Sequence, residues 1–185
     1  MAVERTLISV EAFDEFIQRA DLGDRIFEYI AGEFIEAPSN PFVSAIAAKI
    51  IYFFHAFLAQ NPIGRVTGEA GLYNVAGERY APDVAYISKA RQRELARQGA
   101  NPNPSELAVE VISDEDSAQE QRELRLKISS YLAVGTIVWV VYPVSQWVEV
   151  HHPGKPAQLI GVDGTLDGGD VLPGFTLAVR AIFED

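Results

Sequence analysis

Two acidic residues and one lysine could together form a catalytic site: Asp83, Glu110 and Lys127. Glu110 lies within residues 107–112 (LAVEVI), which have the composition of a buried strand, and Asp83 follows proline within residues 79–87 (RYAPDVAYI). A carboxylate in such a strand is costly unless a cation or hydrogen-bond donors meet it. Two carboxylates from neighbouring strands could hold Mg²⁺ through oxygen ligands. Lys127 could then orient or activate a water and stabilise charge on a phosphate.

Each of these residues also has an ordinary structural explanation. Asp83 could be a turn or strand-start residue that simply follows proline. Lys127 could be a solvated residue paired with Glu123, one helical turn earlier. Glu110 could pair with an arginine, but charged residues rarely lie in such apolar runs, which favours a functional role for it. The spacing of Asp83 and Glu110 alone would often arise by chance.

One stretch of the chain predicts a strand, a helix and a second strand, and it carries two of the three residues. Residues 107–112, with Glu110, form the first strand, and residues 136–142 (TIVWVVY) form the second. Between them a helix is expected over 116–133, with Lys127 on the flank of its apolar stripe. Two strands joined by such a helix are expected to be parallel neighbours. The stripe consists of Leu124, Ile128, Tyr131 and Leu132.

The remaining elements are predicted from apolar periodicity and turn residues. The helix that begins at Asn40–Pro41 is apolar around most of its circumference, so it is expected either to be fully buried or to form a subunit interface. Residues 89–104 form a polar arm with several basic side chains. Further elements are expected as a helix over 10–20, a hairpin over 25–37, strands over 65–70, 72–75 and 79–87, and an antiparallel pair over 146–151 and 157–160.

Composition limits the class of protein. The 185 residues are 48% hydrophobic and 22% charged, which fits a single globular domain over 1–185. The absence of cysteine excludes disulfides and cysteine-based zinc sites. No signal peptide or membrane span is recognised, so a cytoplasmic protein is expected. The net charge of −11 does not favour non-specific binding to nucleic acid.

The chain resembles the Uma2 family (DUF820) of restriction endonucleases, a branch of the PD-(D/E)XK nuclease superfamily. The likeness implies an α/β fold with a restriction-endonuclease-like mixed sheet flanked by helices. It also implies a nuclease of DNA that depends on Mg²⁺ or Mn²⁺, in which Asp83 and Glu110 bind the metal and Lys127 is catalytic. Such nucleases commonly work in pairs, so a homodimer is expected. The resemblance rests on FEYIAGEFIEAP (27–38), RYAPDVAYIS (79–88), residues 107–143 and LPGFTL (172–177).

The sequence also departs from the family pattern. The superfamily usually places its lysine two residues after the glutamate, where this chain has Ile112, and the family's helix lysine matches Lys127. Phe42–Val43 replaces a Glu-His pair, and the acidic residues 113–116 replace small or basic ones. The alternative is therefore a catalytically inactive relative that acts as a binding or assembly module. Glu28, Glu33 and Glu123 are candidates for supporting acids.

Overall fold

The computed structural model describes residues 8–23, 25–37 and 40–184, and a six-stranded sheet lies at its centre. A 3-10 turn at Ala20–Leu22 follows the first helix. The α-helices are α1 (Val10–Phe16), α2 (Pro41–Gln60), α3 (Ala118–Ala133) and α4 (Arg180–Phe183). The strands are β1 (Phe27–Ile30), β2 (Glu33–Glu36), β3 (Gly64–Gly68), β4 (Tyr73–Val75), β5 (Glu78–Tyr80), β6 (Val84–Ser88), β7 (Leu107–Val111), β8 (Ile137–Tyr142), β9 (Trp147–His151), β10 (Gln158–Gly161), β11 (Thr165–Asp167) and β12 (Thr176–Ala178).

The central sheet has the strand order β10-β9-β8-β7-β6-β3. Its neighbours are antiparallel except for β7 and β8, which are parallel and are joined by α3. Every side chain of β7 and β8 is buried, as their continuous apolar sequences predict for the middle of a covered sheet. The predicted strand-helix-strand unit is confirmed, and so is the mixed sheet flanked by helices.

Helices cover both faces of the central sheet and so create two apolar cores. On one face α2 packs with Trp139 and Phe175, and on the other α3 packs through Leu124 and Tyr131. The ring of Phe54 lies edge-on to Trp139, with 5.8 Å between the ring centroids. Six side chains of α2 are buried: Val43, Ile46, Ala47, Ile50, Phe54 and Leu58.

The outer face of α2 remains partly exposed. Phe42 is 57% exposed and Tyr52 66% exposed, whereas Phe54 is wholly buried. The expectation that this helix is fully buried in one chain is therefore wrong. By length and composition alone α2 is apolar enough to cross a membrane, but a helix that covers a core passes the same test.

The segment 79–87 does not form the single strand that its composition predicts. β5 belongs to a four-stranded antiparallel sheet of order β2-β1-β5-β4, whereas β6 belongs to the central sheet. Pro82 lies between them, where its lack of an N–H costs no ladder hydrogen bond. The chain thus passes from one sheet to the other just before Asp83. The β1–β2 hairpin of the smaller sheet agrees with the prediction.

Candidate active site

A cleft of about 420 Å³ lies where α3, the β1–β2 hairpin and the ends of β6 and β7 meet. Asp83, Glu110 and Lys127 all line it, so the structure brings the three predicted residues together. They come from three different elements, the start of β6, the middle of β7 and the middle of α3. The cleft is within the size range of small-molecule and catalytic pockets.

The two carboxylates are placed together by the pairing of β6 with β7. Val84 lies opposite Val109 in this antiparallel ladder, so extending the register by one residue places Asp83 opposite Glu110. Residues directly opposite each other in such a ladder project from the same face of the sheet. The Asp83 carboxylate also accepts a hydrogen bond from the Val111 N–H, at 2.6 Å. Asp83 and Glu110 therefore share one face and one cleft.

Lys127 forms a buried double ion pair. Its Nζ lies 2.7 Å from Oε2 of Glu110 and 2.8 Å from Oε1 of Glu28, and the residue is only 6% exposed. On α3, Lys127 lies three residues after Leu124 and four before Tyr131, and these are the buried side chains of the helix. Lys127 is therefore not the solvated partner of Glu123.

Glu28, one of the candidate supporting acids, also lines the cleft. It is 6% exposed, and its Oε1 also accepts a hydrogen bond from the Ala81 N–H at 2.7 Å. One signal in the sequence points to it, because Glu28 alternates in phase with Ile30 and shares that residue's buried face. Glu33, the other candidate supporting acid in the hairpin, is exposed.

Tyr131 completes the surroundings of Glu110. Its hydroxyl donates a hydrogen bond to Oε1 of Glu110 at 3.0 Å, while Lys127 occupies Oε2. Burial raises the pKa of the Tyr131 hydroxyl well above its ordinary value, so it remains a donor. An ionised carboxylate has about four lone-pair sites, so Glu110 retains acceptor capacity after both contacts.

The protonation of the cluster follows from its charges. Burial raises the pKa of Glu110 to about 8, and the negative charges of Glu28 and Asp83 add to this effect, while Lys127 opposes it. Burial raises the pKa of Asp83 to about 6, although the hydrogen bond from Val111 opposes the shift. Burial lowers the pKa of Lys127, but Glu110 and Glu28 raise it by more, so the ammonium stays charged.

The loop after β7 is tied to α3 by Glu120. The Glu120 carboxylate accepts hydrogen bonds from the backbone N–H groups of Ser113 and Asp114, at 2.7 and 2.9 Å, and from the Ser113 hydroxyl. Glu115 is also engaged, because it accepts from the N–H groups of Val144 and Ser145 in the β8–β9 turn. Two of the acidic residues that replace the family's small or basic ones thus have structural partners, Asp114 through its backbone N–H and Glu115 through its carboxylate.

The cleft as a whole is negative. Among the described residues that line it, Lys127 is the single cation, whereas the acids are Glu28, Glu36, Asp83, Glu110, Asp114, Glu120 and Glu123. Such a lining attracts cations and repels a phosphate group unless positive charge is added. Val43 and Ile112, at two of the places where the chain departs from the family pattern, contribute apolar wall to the cleft, whereas Phe42 is exposed and does not line it.

The donor set suits a hard divalent cation that keeps several waters. Within residues 8–23, 25–37 and 40–184, no group of three histidine, cysteine or acidic side chains is arranged to enclose a metal. Asp83 and Glu110 supply two carboxylates, which is the usual protein share for Mg²⁺, since this ion is commonly held by one or two carboxylates, waters and substrate phosphates. The residues present therefore fit such a cation.

Comparison with known proteins identifies a family and a similar solved structure. The Uma2 family model, described as "Putative restriction endonuclease", matches residues 13–180. A crystal structure of a "putative nuclease belonging to DUF820" from Anabaena variabilis has a TM-score of 0.76 and 20% identity, over 92% of this chain and 96% of that one. This likeness supports the fold. No curated protein matches the chain.

Proposed function

Because the chain belongs to the Uma2 family, we propose that it is a cytoplasmic endonuclease of the PD-(D/E)XK type that hydrolyses phosphodiester bonds of DNA with Mg²⁺ or Mn²⁺. The observation that carries the proposal is the convergence of Asp83, Glu110 and Lys127 in one cleft. A buried cluster of charges with strongly shifted pKa values, lying in a cleft, is typical of a catalytic site.

Asp83 and Glu110 are the residues that would hold the cation. When bound, it would supply positive charge for a phosphate and lower the pKa of a coordinated water. Cation binding there requires Glu110 to release the proton that it retains around neutral pH, and the negative charge of Asp83 then favours the cation. Tyr131 fixes the orientation of Glu110 through its hydrogen bond and so holds the carboxylate toward the cleft.

Lys127 is the proposed catalytic cation of the chain itself. Its ammonium, held beside Glu110, would stabilise negative charge on the phosphate and orient the attacking water. Glu28 is a positioning residue in this scheme. It forms an ion pair with the same ammonium from the smaller sheet, and its carboxylate accepts a hydrogen bond from the Ala81 N–H. The lysine thus reaches the site from the helix, whereas Ile112 occupies the superfamily's usual position.

A cleavage assay tests the proposal. Supercoiled plasmid, linear duplex and single-stranded DNA are incubated with Mg²⁺, Mn²⁺ or EDTA, and the products are resolved on gels. We expect metal-dependent cleavage of at least one DNA form, lost in Asp83→Asn and Glu110→Gln. Glu123→Gln is the matched control, because it removes another acid of the same cleft, one whose carboxylate accepts a hydrogen bond from the Gln119 side chain on α3. Cleavage that persists in Asp83→Asn would reject the site.

The second candidate is a nuclease-fold protein without activity that binds or assembles. The observation that favours it is the charge of the cleft, in which the acids far outnumber the single lysine. This candidate predicts that no DNA form is cut with either cation, while the folded protein still binds a partner. Active parent enzyme in the same assay excludes it.

We further propose that the protein acts as a homodimer through the outer face of α2. The exposed ring of Tyr52 lies beside the half-buried Phe53, with 5.4 Å between the ring centroids, and Phe42 is exposed in the first turn of the same helix. Exposed aromatic side chains are enriched at protein interfaces. Light scattering after gel filtration gives the mass that decides the question.

A further inference from the structure

A second cavity, of about 380 Å³, lies at the edge of the central sheet beside β3 and the last turns of α2. β3 is the outermost strand, and its residue Gly64 pairs with Ser88, whereas Gly68 pairs with Val84 next to Asp83. The cavity and the catalytic cleft are thus separated by four residues of strand, about 13 Å. They are different sites.

The ionisable side chains that line this cavity are basic. Arg65, Lys89 and His55 line it, and no aspartate or glutamate does so among the described lining residues. This is unusual for a protein whose formal net charge is −11. Basic side chains gathered at a concave surface focus the potential and raise the local concentration of anions.

One donor of a residue that lines the cavity has no hydrogen-bond partner among the described residues. It is Nη1 of Arg65. Buried donors are nearly always satisfied, so this unpaired N–H indicates an acceptor that binds beside Arg65.

We propose that this cavity binds the phosphate group of a nucleotide, either free or within a DNA strand. The guanidinium fork of Arg65 matches phosphate oxygens in geometry, and Arg65 with Lys89 supplies two positive charges for a group that carries up to two negative ones. A carboxylate ligand carries one negative charge and would therefore balance only one of these two positive charges. The apolar side chains of Leu58, Val66 and Leu95 offer the surface that a nucleoside ring needs. Binding here does not depend on hydrolysis in the catalytic cleft.

Calorimetry in EDTA tests this site without any cleavage. Thymidine monophosphate, thymidine, inorganic phosphate and a short oligothymidylate are titrated into the full chain. We expect thymidine monophosphate to bind at one site and thymidine at least tenfold more weakly. Binding of the oligothymidylate as tight as that of the monophosphate identifies a strand as the source, whereas binding of the monophosphate alone identifies a free nucleotide.

Variants locate the bound phosphate. Arg65→Met should weaken binding of thymidine monophosphate at least tenfold. Arg97→Met should not, because Arg97 is an exposed arginine of the polar arm and does not line the cavity. Lys89→Met is the second variant, since its exposed side chain can be replaced without unfolding the chain. In the parent protein, amide resonances of Gly64 and Arg65 should shift on titration, but those around Glu110 should not.

Two results would overturn the proposal. One is the absence of saturable binding of thymidine monophosphate to the folded parent in low salt. The other is an equal loss of affinity in Arg65→Met, Lys89→Met and Arg97→Met, which would indicate general charge attraction. Neither result bears on the catalytic cleft, because a failed cleavage assay with intact nucleotide binding would reject only the proposed nuclease activity.

Discussion

Replacement of Lys127 by methionine isolates the ammonium, because methionine keeps an apolar stem of similar reach. The ammonium is shared by Glu28 and Glu110, and all three side chains are about nine-tenths buried. Removing one partner from a buried ion pair costs about 3–5 kcal/mol, since the other charge is left uncompensated. We therefore expect the free energy of unfolding of Lys127→Met to fall by about 3–5 kcal/mol at pH 8.

The cost of Lys127→Met should depend on pH with a definite sign. Without the ammonium, the pKa of Glu110 in the folded chain rises even further above its ordinary value of 4.5, because the group remains buried. Between that value and the raised pKa the folded variant binds more protons than the unfolded one, so its stability falls as pH rises. The folded parent also keeps the proton of Glu110 up to about pH 8, so the stability difference between parent and variant is small at pH 5 and grows as pH rises through 8, where Glu110 ionises in the parent and not in the variant.

Urea unfolding of parent and variant at pH 5 and pH 8 measures this difference, with Lys155→Met as the control for loss of an exposed lysine. The double variant Glu28→Gln/Lys127→Met should recover part of the loss, because it removes one of the two stranded carboxylates. Cleavage should be abolished at both pH values. A folded Lys127→Met that is within about 1 kcal/mol of the parent at pH 8 and still cuts DNA would refute this account of the cluster.

Other consequences can be measured in the same way. Affinity for Mn²⁺ should rise about tenfold from pH 7 to pH 9, because Glu110 with its pKa of about 8 must lose its proton; an affinity independent of pH would contradict this. The parent should lose stability as pH rises from about 4 to about 6, since the pKa of Asp83 is raised to about 6, and urea unfolding of Asp83→Asn should show a smaller decline, because the contribution of Glu110 remains. Tyr52→Glu should halve the mass measured by light scattering if α2 forms the dimer interface, while Lys155→Met should leave it unchanged.

The sequence predicts the unit β7-α3-β8 well because its evidence is local. A continuous apolar run, a helical stripe and a second apolar run follow one another, and the parallel pairing of the two strands follows from the length of the crossover. Glu110 and Lys127 both lie within this unit, so their proximity could be foreseen. Asp83 was predicted with the help of the family pattern, because its spacing from Glu110 alone would often arise by chance.

The parts that could not be predicted depend on contacts between distant segments. Glu28 reaches Lys127 only because the smaller sheet packs against α3, and no local pattern encodes that packing. A proline in this segment indicates a strand start, an edge or a bulge, but the change of sheet at Pro82 could not be predicted, because the residues on both sides of it have strand composition and pair in different sheets. Burial of one face of α2 similarly depends on which partner covers it, and its uniformly apolar sequence does not distinguish the two sides.

The clamp of Glu120 on the loop after β7 has a consequence for motion. It fastens α3 to the central sheet, so Lys127 and Glu110 belong to one mechanical unit. Glu28 belongs to the other sheet, where it accepts from the Ala81 N–H at the end of β5, and its ion pair with Lys127 crosses the seam between the two sheets. A hinge opening along this seam would separate Glu28 from the ammonium while Glu110 kept it. The cleft would then widen around an intact Lys127–Glu110 pair, and the ion pair between Glu28 and Lys127 would be the contact that keeps the cleft closed.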